Sequence, residues 1–409
     1  MKKKVFITGI DGYEGWPLAC HLAAKDYDVR GLDTGFRRRW VQGARSHSIL
    51  PIASQRDRQR VFHEVFAAHG PLPVLPHATT DYARLQDALE QSPPDVVVHM
   101  AEQPSAPFSM QGPVSAAQTQ MLNIVGTLNL LHAMREVCPQ ALLIYVSTMG
   151  EYGTPDTHIP EGFCTLFALT DDTTTEEVQE LAEHPSIMLP FPRMPGSFYH
   201  ASKVASSLNV HLVSRIWRMA TLTLMQGVVY GTRTEATQAR PELCTRFDID
   251  EHFGTVLNRF VGQAILGIPL TVYGSGGQQR GFISLQEVVE SIEDFIAEGG
   301  PPGMYGVVNH ITSTHSVMEL ATTVAAVAHE FEIDVQIEGI ENPRVEAEQH
   351  TYDVSYATMQ GRGYGAVPIE NLTEEIRRMF YDLLPYRPRL EEMREVLMPR
   401  TTWTEGKQP

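Results

Sequence analysis

Residues 4–33 read KVFITGIDGYEGWPLACHLAAKDYDVRGLD, and this stretch decides the fold. Lys4 to Thr8 is a short apolar, β-branched run, and Gly9 to Gly15 is a glycine-rich turn. Pro17 to Lys25 carries apolar residues at helical spacing, and Asp28 to Asp33 is a second strand that closes on an acid. The spacing Gly9-x-x-Gly12-x-x-Gly15 lets the backbone turn tightly and approach a pyrophosphate, whose charge meets the N-terminus of the next helix. Three spaced glycines are weak on their own, because turns use glycine for many reasons. Here they follow a strand, open a helix and are followed by an acid at Asp33. Asp33 would accept hydrogen bonds from the adenosine ribose hydroxyls, and its charge disfavours a 2′-phosphate. The arginines at 37–39 point the other way, towards NADP. The acid stands at the strand end itself, so NAD is the expected cofactor.

The alternation continues beyond residue 33. Pro94 to Met100 and Ala141 to Thr148 read as buried strands, with one long helix from Val114 to Val137 between them. Another helix is expected from about Ser197 to Met219, followed by strand-like TLTLMQGVVYG at 221–231. Strands alternating with helices predict an α/β class protein with a doubly wound parallel sheet, a Rossmann fold. This domain should occupy residues 1–232, with an acidic, threonine-rich insertion at 155–196. The remainder, 233–409, reads mainly as a smaller C-terminal substrate-binding lobe, with some segments returning to the first domain. Glu235 to Gly254 is rich in charge and reads as a surface excursion. Thr255 to Leu270 is helical, Thr271 to Gly274 a strand, and 274–282 a glycine-rich loop.

Composition removes several function classes. Of 409 residues, 43% are hydrophobic and 20% charged, which supports a core and argues against disorder. The formal charge of −17 would repel polyphosphate, so neither nucleic acid nor an anionic membrane is an expected partner. A small phosphorylated ligand in a locally positive pocket remains compatible with it. Cys20, Cys138, Cys164 and Cys244 are far apart and form no C-x-x-C pair, which fits a reducing, cytoplasmic setting. No apolar run reaches 18 residues, and MKKKVFITG goes straight into a strand, so neither a membrane span nor a signal peptide is expected. No His/Cys/Asp/Glu set has metal-ligand spacing, and no metal is expected.

Chemistry is carried by Tyr199-His200-Ala201-Ser202-Lys203. Residues four apart share a helix face, so the Lys203 ammonium can lie near the Tyr199 phenol and lower its pKa towards that of a usable base. Most Tyr-x-x-x-Lys pairs are a packed tyrosine beside a surface lysine. This one lies downstream of a dinucleotide fold and about 50 residues after a strand ending in Ser147-Thr148, a hydroxyl that can hold a substrate alcohol. Glu151 follows the same strand end, where such sheets place catalytic groups; a cap or solvated glutamate is the plainer reading. His99 reads as packing.

The glycine turn, the Ser/Thr and the Tyr-x-x-x-Lys together resemble the extended short-chain dehydrogenase/reductases that act on nucleotide sugars. Longer segments narrow this. GIDGYEGWPLACHL, AEQPSAPFSM, STMGEYGTP, SFYHASKV, MQGVVYGTRTE, TRFDIDEHFGTVLNRF, GIPLTVYGSGGQQRGFISL, ENPRVEAEQHTYD and LLPYRPRLEE resemble the UDP-sulfoquinovose synthase family over nearly the whole chain. The resemblance implies an NAD-dependent enzyme of the epimerase/dehydratase superfamily that makes UDP-sulfoquinovose from UDP-glucose and sulfite. It implies Thr148, Tyr199 and Lys203 as catalytic groups, with Met149 and Glu151 close to the sugar. NAD would be held by Gly9, Asp11, Gly12, Tyr13, Glu14, Gly15, Asp33, Arg37, Arg38, Ala101, Glu102, Asn123, Tyr199, Lys203 and Val229. The UDP-sugar would be held by Gln103, Thr148, Gln226, Thr255, Asn258, Arg259, Thr271, Tyr273, Arg280, Arg344 and Glu346. The family typically has Arg where this chain has Pro104, and His77-Ala78-Thr79 replaces its usual adenine-side residues. A nucleotide-sugar 4,6-dehydratase or 4-epimerase using the same trio without sulfite is the alternative. In the resembled superfamily the helices at about 114–137 and 197–219 pair across a two-fold axis, so a homodimer is expected.

Overall fold

The protein is described by a computed structural model, which covers residues 2–67, 72–166, 174, 187–342, 351–365, 369–398 and 401–402. Its centre is a seven-stranded sheet in which every neighbouring pair is parallel. In chain order the strands of the protein are β1 Lys4–Thr8, β2 Asp28–Leu32, β3 Val74–Leu75, β4 Val96–His99, β5 Leu142–Val146, β6 Phe163–Leu166, β7 Ile187–Pro190, β8 Thr221–Gln226, β9 Val228–Tyr230, β10 Leu270–Tyr273, β11 Gln279–Ser284, β12 Tyr305–His310, β13 Ser313–Ser316 and β14 Ile337–Ile340. The central order is β12-β8-β5-β4-β1-β2-β3. The strand order reverses between β1 and β4, and the crevice over their C-terminal ends is where this topology places a ligand. Strands β4 and β5 are buried at every position, as expected of a parallel sheet covered on both faces.

Two hydrophobic layers flank this sheet. One gathers Val5, Ile7, Val98 and Ile144 with Trp16 and Leu18 of the Gly15–Ala24 helix; the other gathers Phe6, Val97 and Tyr145 with Leu130 and Met134 of the Gly126–Val137 helix. A separate cluster joins Phe247, Phe260, Val272, Leu320 and Phe380 from the second half of the chain. Helices Leu285–Glu298 and Val317–Glu330 there begin with capping boxes, Ser284 with Glu287 and Ser316 with Glu319.

Several sequence expectations need correction. The helix expected over 114–137 is interrupted: Pro113–Gln120 and Gly126–Val137 are joined by a π-turn at Met121–Val125. The 221–231 run divides at Gly227 into β8, in the central sheet, and β9, which pairs with β11 elsewhere. A side chain at Gly227 would meet the Gly281 carbonyl oxygen at 2.5 Å, so the divergence depends on that glycine. The loop expected over 274–282 ends early, because Gln279 begins β11. The charged excursion at 235–254 is largely interior: Leu243, Thr245, Phe247 and Ile249 are fully buried, as are the charges of Arg246, Asp248 and Asp250. Asp248 pairs with Arg246 and Arg37, and Asp250 accepts from Ser46 Oγ and two backbone N–H groups, which is why composition misread them. The 155–196 insertion is rooted by the antiparallel pair β6–β7 and by a bridge from Ile159 to Val354; its centre lies outside the described residues.

Candidate active site

The turn after β1 needs its glycines. Gly9 has φ +78°, and a Cβ there would sit 2.9 Å from the Met100 carbonyl; one at Gly15 would sit 2.3 Å from the Gly9 oxygen. The Gly15–Ala24 helix starts directly behind, so free backbone N–H groups face the turn. Asp33, just past β2, accepts from the Asp11 N–H at 3.0 Å and the Gly35 N–H at 2.7 Å. Burial, then the nearby Asp11 carboxylate, pushes its carboxyl above the ordinary value. A cavity of about 120 Å³ runs from Gly9, Gly12, Tyr13 and Asp33 past Arg37 and Trp40 to Ala101, Glu102 and Pro104. His77, Ala78 and Thr79 line it as well. Tight glycine backbone, a ribose-side acid and a long cleft fit a dinucleotide.

The two expected cofactor arginines part company. Arg37 lines this cavity, bonded to Asp248 at 3.1 Å and lying 3.7 Å from the Phe253 ring centre. Arg38 instead grips Asp11 through two bonds, at 2.6 and 2.8 Å, and Arg58 joins them from the interior at 2.7 Å. The Asp11 carboxylate is therefore spent on holding the turn, and only its backbone serves Asp33. With Arg37 and Arg38 both paired to acids, the arginine run does not form a 2′-phosphate site. Val229 is packed into the core, and Asn123, in the π-turn, bonds the backbone of Gln103 on both sides and Ser202 Oγ.

The expected trio comes together at the C-terminal edge of the sheet. Tyr199 lies in the first turn of the Phe198–Ile216 helix, whose start is capped by Ser197 and whose Tyr199 N–H donates to Ser109 Oγ at 3.0 Å. Burial raises the Tyr199 phenol well above its ordinary value and the Glu14 carboxylate adds to this, while a hydrogen bond with Thr148 opposes both. Lys203 Nζ lies 6.0 Å from the Tyr199 ring centre, donates to the Val146 carbonyl at 2.6 Å and is ion-paired with Glu102. Burial lowers the Lys203 ammonium to about 7 against the pull of Glu14, and Glu102 in contact also favours its charged form. In this structure Glu102 holds the Lys203 ammonium, and a hydrogen bond with Thr148 eases ionisation of the phenol. Glu102 is itself fixed by Tyr145, whose hydroxyl donates to it at 3.0 Å.

Glu151 is fully buried. Its carboxylate takes hydrogen bonds from Ser147 and from Ser207, the latter at 2.6 Å, and pairs with Arg193 at 3.3 Å. It braces the catalytic loop against the C-terminal root of the insertion, where Met194 N–H donates to the Glu151 carbonyl at 3.0 Å. A position in direct contact with the sugar is not what these partners indicate. Met149 is buried beside Gly281, and its carbonyl accepts from the Tyr352 hydroxyl at 3.2 Å. His99 is buried between Thr8 and Thr127 hydroxyls, as a packing histidine should be.

The expected sugar-nucleotide residues fall in two groups. Thr255, Asn258 and Arg259 occupy the start of the Val256–Leu266 helix, and Thr255 Oγ1, Asn258 Oδ1 and Arg259 Nε are buried without partners. Arg259 is oriented by the Tyr273 hydroxyl at 2.8 Å and the Thr271 carbonyl at 3.2 Å. The Arg259 Nε–H and the Thr255 hydroxyl at this helix N-terminus can donate to an anionic ligand, and Asn258 Oδ1 can accept from a ligand donor. Gln226 is turned towards the cofactor turn, donating to Glu14 at 2.5 Å and bonded to His310 at 3.1 Å. Gln103 is buried with Nε2 unpaired. Arg280 is on β11, close enough to Tyr352 to act on its hydroxyl. Arg344 and Glu346 lie outside the described residues. Sequence reading missed Trp40, which stacks with Phe36 at 5.3 Å as the cavity's aromatic wall, and the Ser207–Arg193 clamp on Glu151. The Trp beside an arginine run was a readable signal; the clamp, made across 42 residues from Arg193 and 56 from Ser207, was not.

Residues 5–307 match the model of the NAD dependent epimerase/dehydratase family. A UDP-sulfoquinovose synthase of Sulfolobus acidocaldarius is 36% identical over 98% of this chain and 97% of its own length. A chloroplastic UDP-sulfoquinovose synthase of Spinacia oleracea is 39% identical over 88% of this chain and 72% of its own. Among solved structures, a UDP-glucose 4-epimerase of Thermotoga maritima with UDP-glucose shares the fold, with a TM-score of 0.64 at 17% identity over 97% of this chain and 100% of that one.

Proposed function

The chain belongs to the NAD-dependent epimerase/dehydratase family and, within it, to the UDP-sulfoquinovose synthases, and from that membership we propose that it converts UDP-glucose and sulfite into UDP-sulfoquinovose and water. The observation that carries the chemistry is the meeting of Tyr199, Thr148 and Lys203 with Glu14 of the glycine turn, at the C-terminal edge of the sheet. What NAD supplies when bound is a reversible two-electron oxidation at C4 of the sugar. Gly9, Gly12, Gly15 and Asp33 would hold it, with Arg37 and Trp40 along the cleft.

Tyr199 takes the proton of the C4 hydroxyl and returns it at the end, and Thr148 orients that hydroxyl. The C4 ketone acidifies the C5 proton, and loss of that proton and the C6 hydroxyl as water leaves a 5,6-enone. Sulfite forms the C–S bond at C6, C5 regains a proton, and C4 is reduced again. Lys203, oriented by Glu102, keeps its ammonium near the Tyr199 ring. Thr255, Asn258, Arg259, Thr271, Tyr273, Gln226 and Arg280 would hold the UDP-sugar, with Gln103, Met149 and Tyr352 closing the sugar side. We assign the cofactor unit to residues 1–232 and the substrate lobe to the chain from 233 on, with β12 returning to the central sheet. Four free cysteines fit a cytoplasmic enzyme, and among the described residues no helix is long and apolar enough to cross a membrane.

A homodimer is supported by a face of exposed apolar side chains: Val114, Met121 and Val125 on one helical segment, Leu208, Leu212 and Ile216 on the other. The alternative ending, a 4,6-dehydratase or 4-epimerase, is favoured by one feature, Pro104 on the cavity wall where the family carries arginine. Incubation with UDP-glucose, with and without sulfite, separates the two. A sulfonate-bearing product only with sulfite supports the synthase; a 4-keto-6-deoxy sugar or a C4 epimer in both incubations replaces it with the alternative.

A further inference from the structure

Behind the cofactor cleft lies a second cavity, of about 260 Å³, whose chemistry the proposed reaction does not use. Arg38, Arg246, Arg389 and His47 line it, with Val41 and Pro51 along the apolar part, and no carboxylate is on its wall among the described residues. In a protein of net charge −17, three guanidiniums and an imidazole gathered around open space are unusual.

The donors are also incompletely used. Arg246 is 2% exposed; Nε and Nη2 bond Asp248, while Nη1 is buried with no partner. Arg389 spends Nη2 on the Ser48 carbonyl at 2.8 Å and leaves a buried Nε unpaired. His47 Nε2 makes no hydrogen bond, and its nearest carboxylate, Glu392, is 3.9 Å away and largely exposed. Buried guanidinium N–H groups without acceptors are costly unless something fills the space. Arg38 is fully spent on Asp11 and the Ala53 carbonyl, so the free donors are Arg246 Nη1, Arg389 Nε and the His47 ring, separate N–H groups around one space that suit the oxygens of a tetrahedral anion.

We propose that this cavity is a binding site for an oxyanion, either free or as the terminal group of a phosphomonoester whose organic part lies over Val41 and Pro51. The Phe36–Gly43 helix carries both cavities, with Arg37 and Trp40 on the cofactor cleft and Arg38 and Val41 on the second site. Arg38 also grips Asp11 of the glycine turn, so the occupant and the cofactor share one element.

The test uses full-length protein saturated with NAD and UDP, so that the phosphate sites of those ligands are filled. It is titrated by calorimetry with inorganic phosphate, sulfate and glycerol 3-phosphate, against chloride at equal ionic strength. Saturable one-site binding of phosphate and sulfate is expected, weakened at least tenfold by Arg389→Gln and severalfold by His47→Gln, with NAD affinity in anion-free buffer unchanged in both. Tighter binding of glycerol 3-phosphate than of phosphate makes the occupant a phosphomonoester; equal or weaker binding makes it the free anion. Absence of saturable binding beyond chloride, or binding that both variants leave intact, overturns the proposal.

Discussion

The base of this reaction is a phenol whose ionisation its surroundings oppose. Desolvation of the half-buried Tyr199 phenol, then the Glu14 carboxylate, raises its pKa, and the Lys203 ammonium is held by Glu102. Tyr199→Phe is expected to lower turnover by roughly 10²–10⁴-fold while leaving NAD binding and the melting temperature near the parent's; calorimetric titration beside a product assay checks both. Gly15→Ala makes the complementary prediction. Its Cβ would meet a backbone oxygen at 2.3 Å that no side-chain motion can relieve, so NAD affinity should collapse, and parent-like binding would show that the turn is not the cofactor cradle. The trio was legible because its members are set by short spacing on one helix and one strand end. The capture of Lys203 by Glu102 was not, since it depends on two side chains a hundred residues apart finding the same buried spot.

At the scale of elements, the π-turn at Met121–Val125 presents the Asn123 carbonyl to the hydroxyls of Thr127 and Ser206 and its amide to Gln103 and Ser202. Asn123→Ala removes three buried bonds and should cost about 2–3 kcal/mol in urea unfolding. Helical spacing cannot reveal one inserted residue, so the sequence read as an unbroken helix. The 235–254 segment was misread for a related reason: its acids and arginines neutralise each other inside. Burial pushes the Asp248 carboxyl up, but Arg246 and Arg37 outweigh it and hold it at about 2. An acid whose folded value is depressed stabilises the protein above its unfolded pKa, near 4, and loses that contribution as pH falls towards 2, on the order of 2 kcal/mol in all. The stability gap between the parent and Asp248→Asn should therefore narrow between pH 4 and pH 2; a gap constant with pH would contradict the pairing.

For the whole molecule, the parallel order of the sheet followed from the alternation of elements, and the position of the site followed from where that order reverses. A return of later segments to the first domain was expected, but that β12 is the returning strand and that β9 leaves the central sheet were not legible, because both are decided by tertiary pairing. The exposed stripe along Leu208, Leu212 and Ile216 should be covered by a second copy, so Leu212→Glu is expected to give a monomer by light scattering where the parent is a dimer; two species of equal mass would place the interface elsewhere. The central claim is that C4 is oxidised and re-reduced within one turnover while sulfite enters at C6. UDP-glucose deuterated at C4 tests it most directly, followed by mass and NMR analysis of the product formed with sulfite. A sulfonated sugar that keeps its deuterium at C4 is the result expected, whereas an unsulfonated product, or a sulfonated one whose C4 deuterium has been lost, would contradict it.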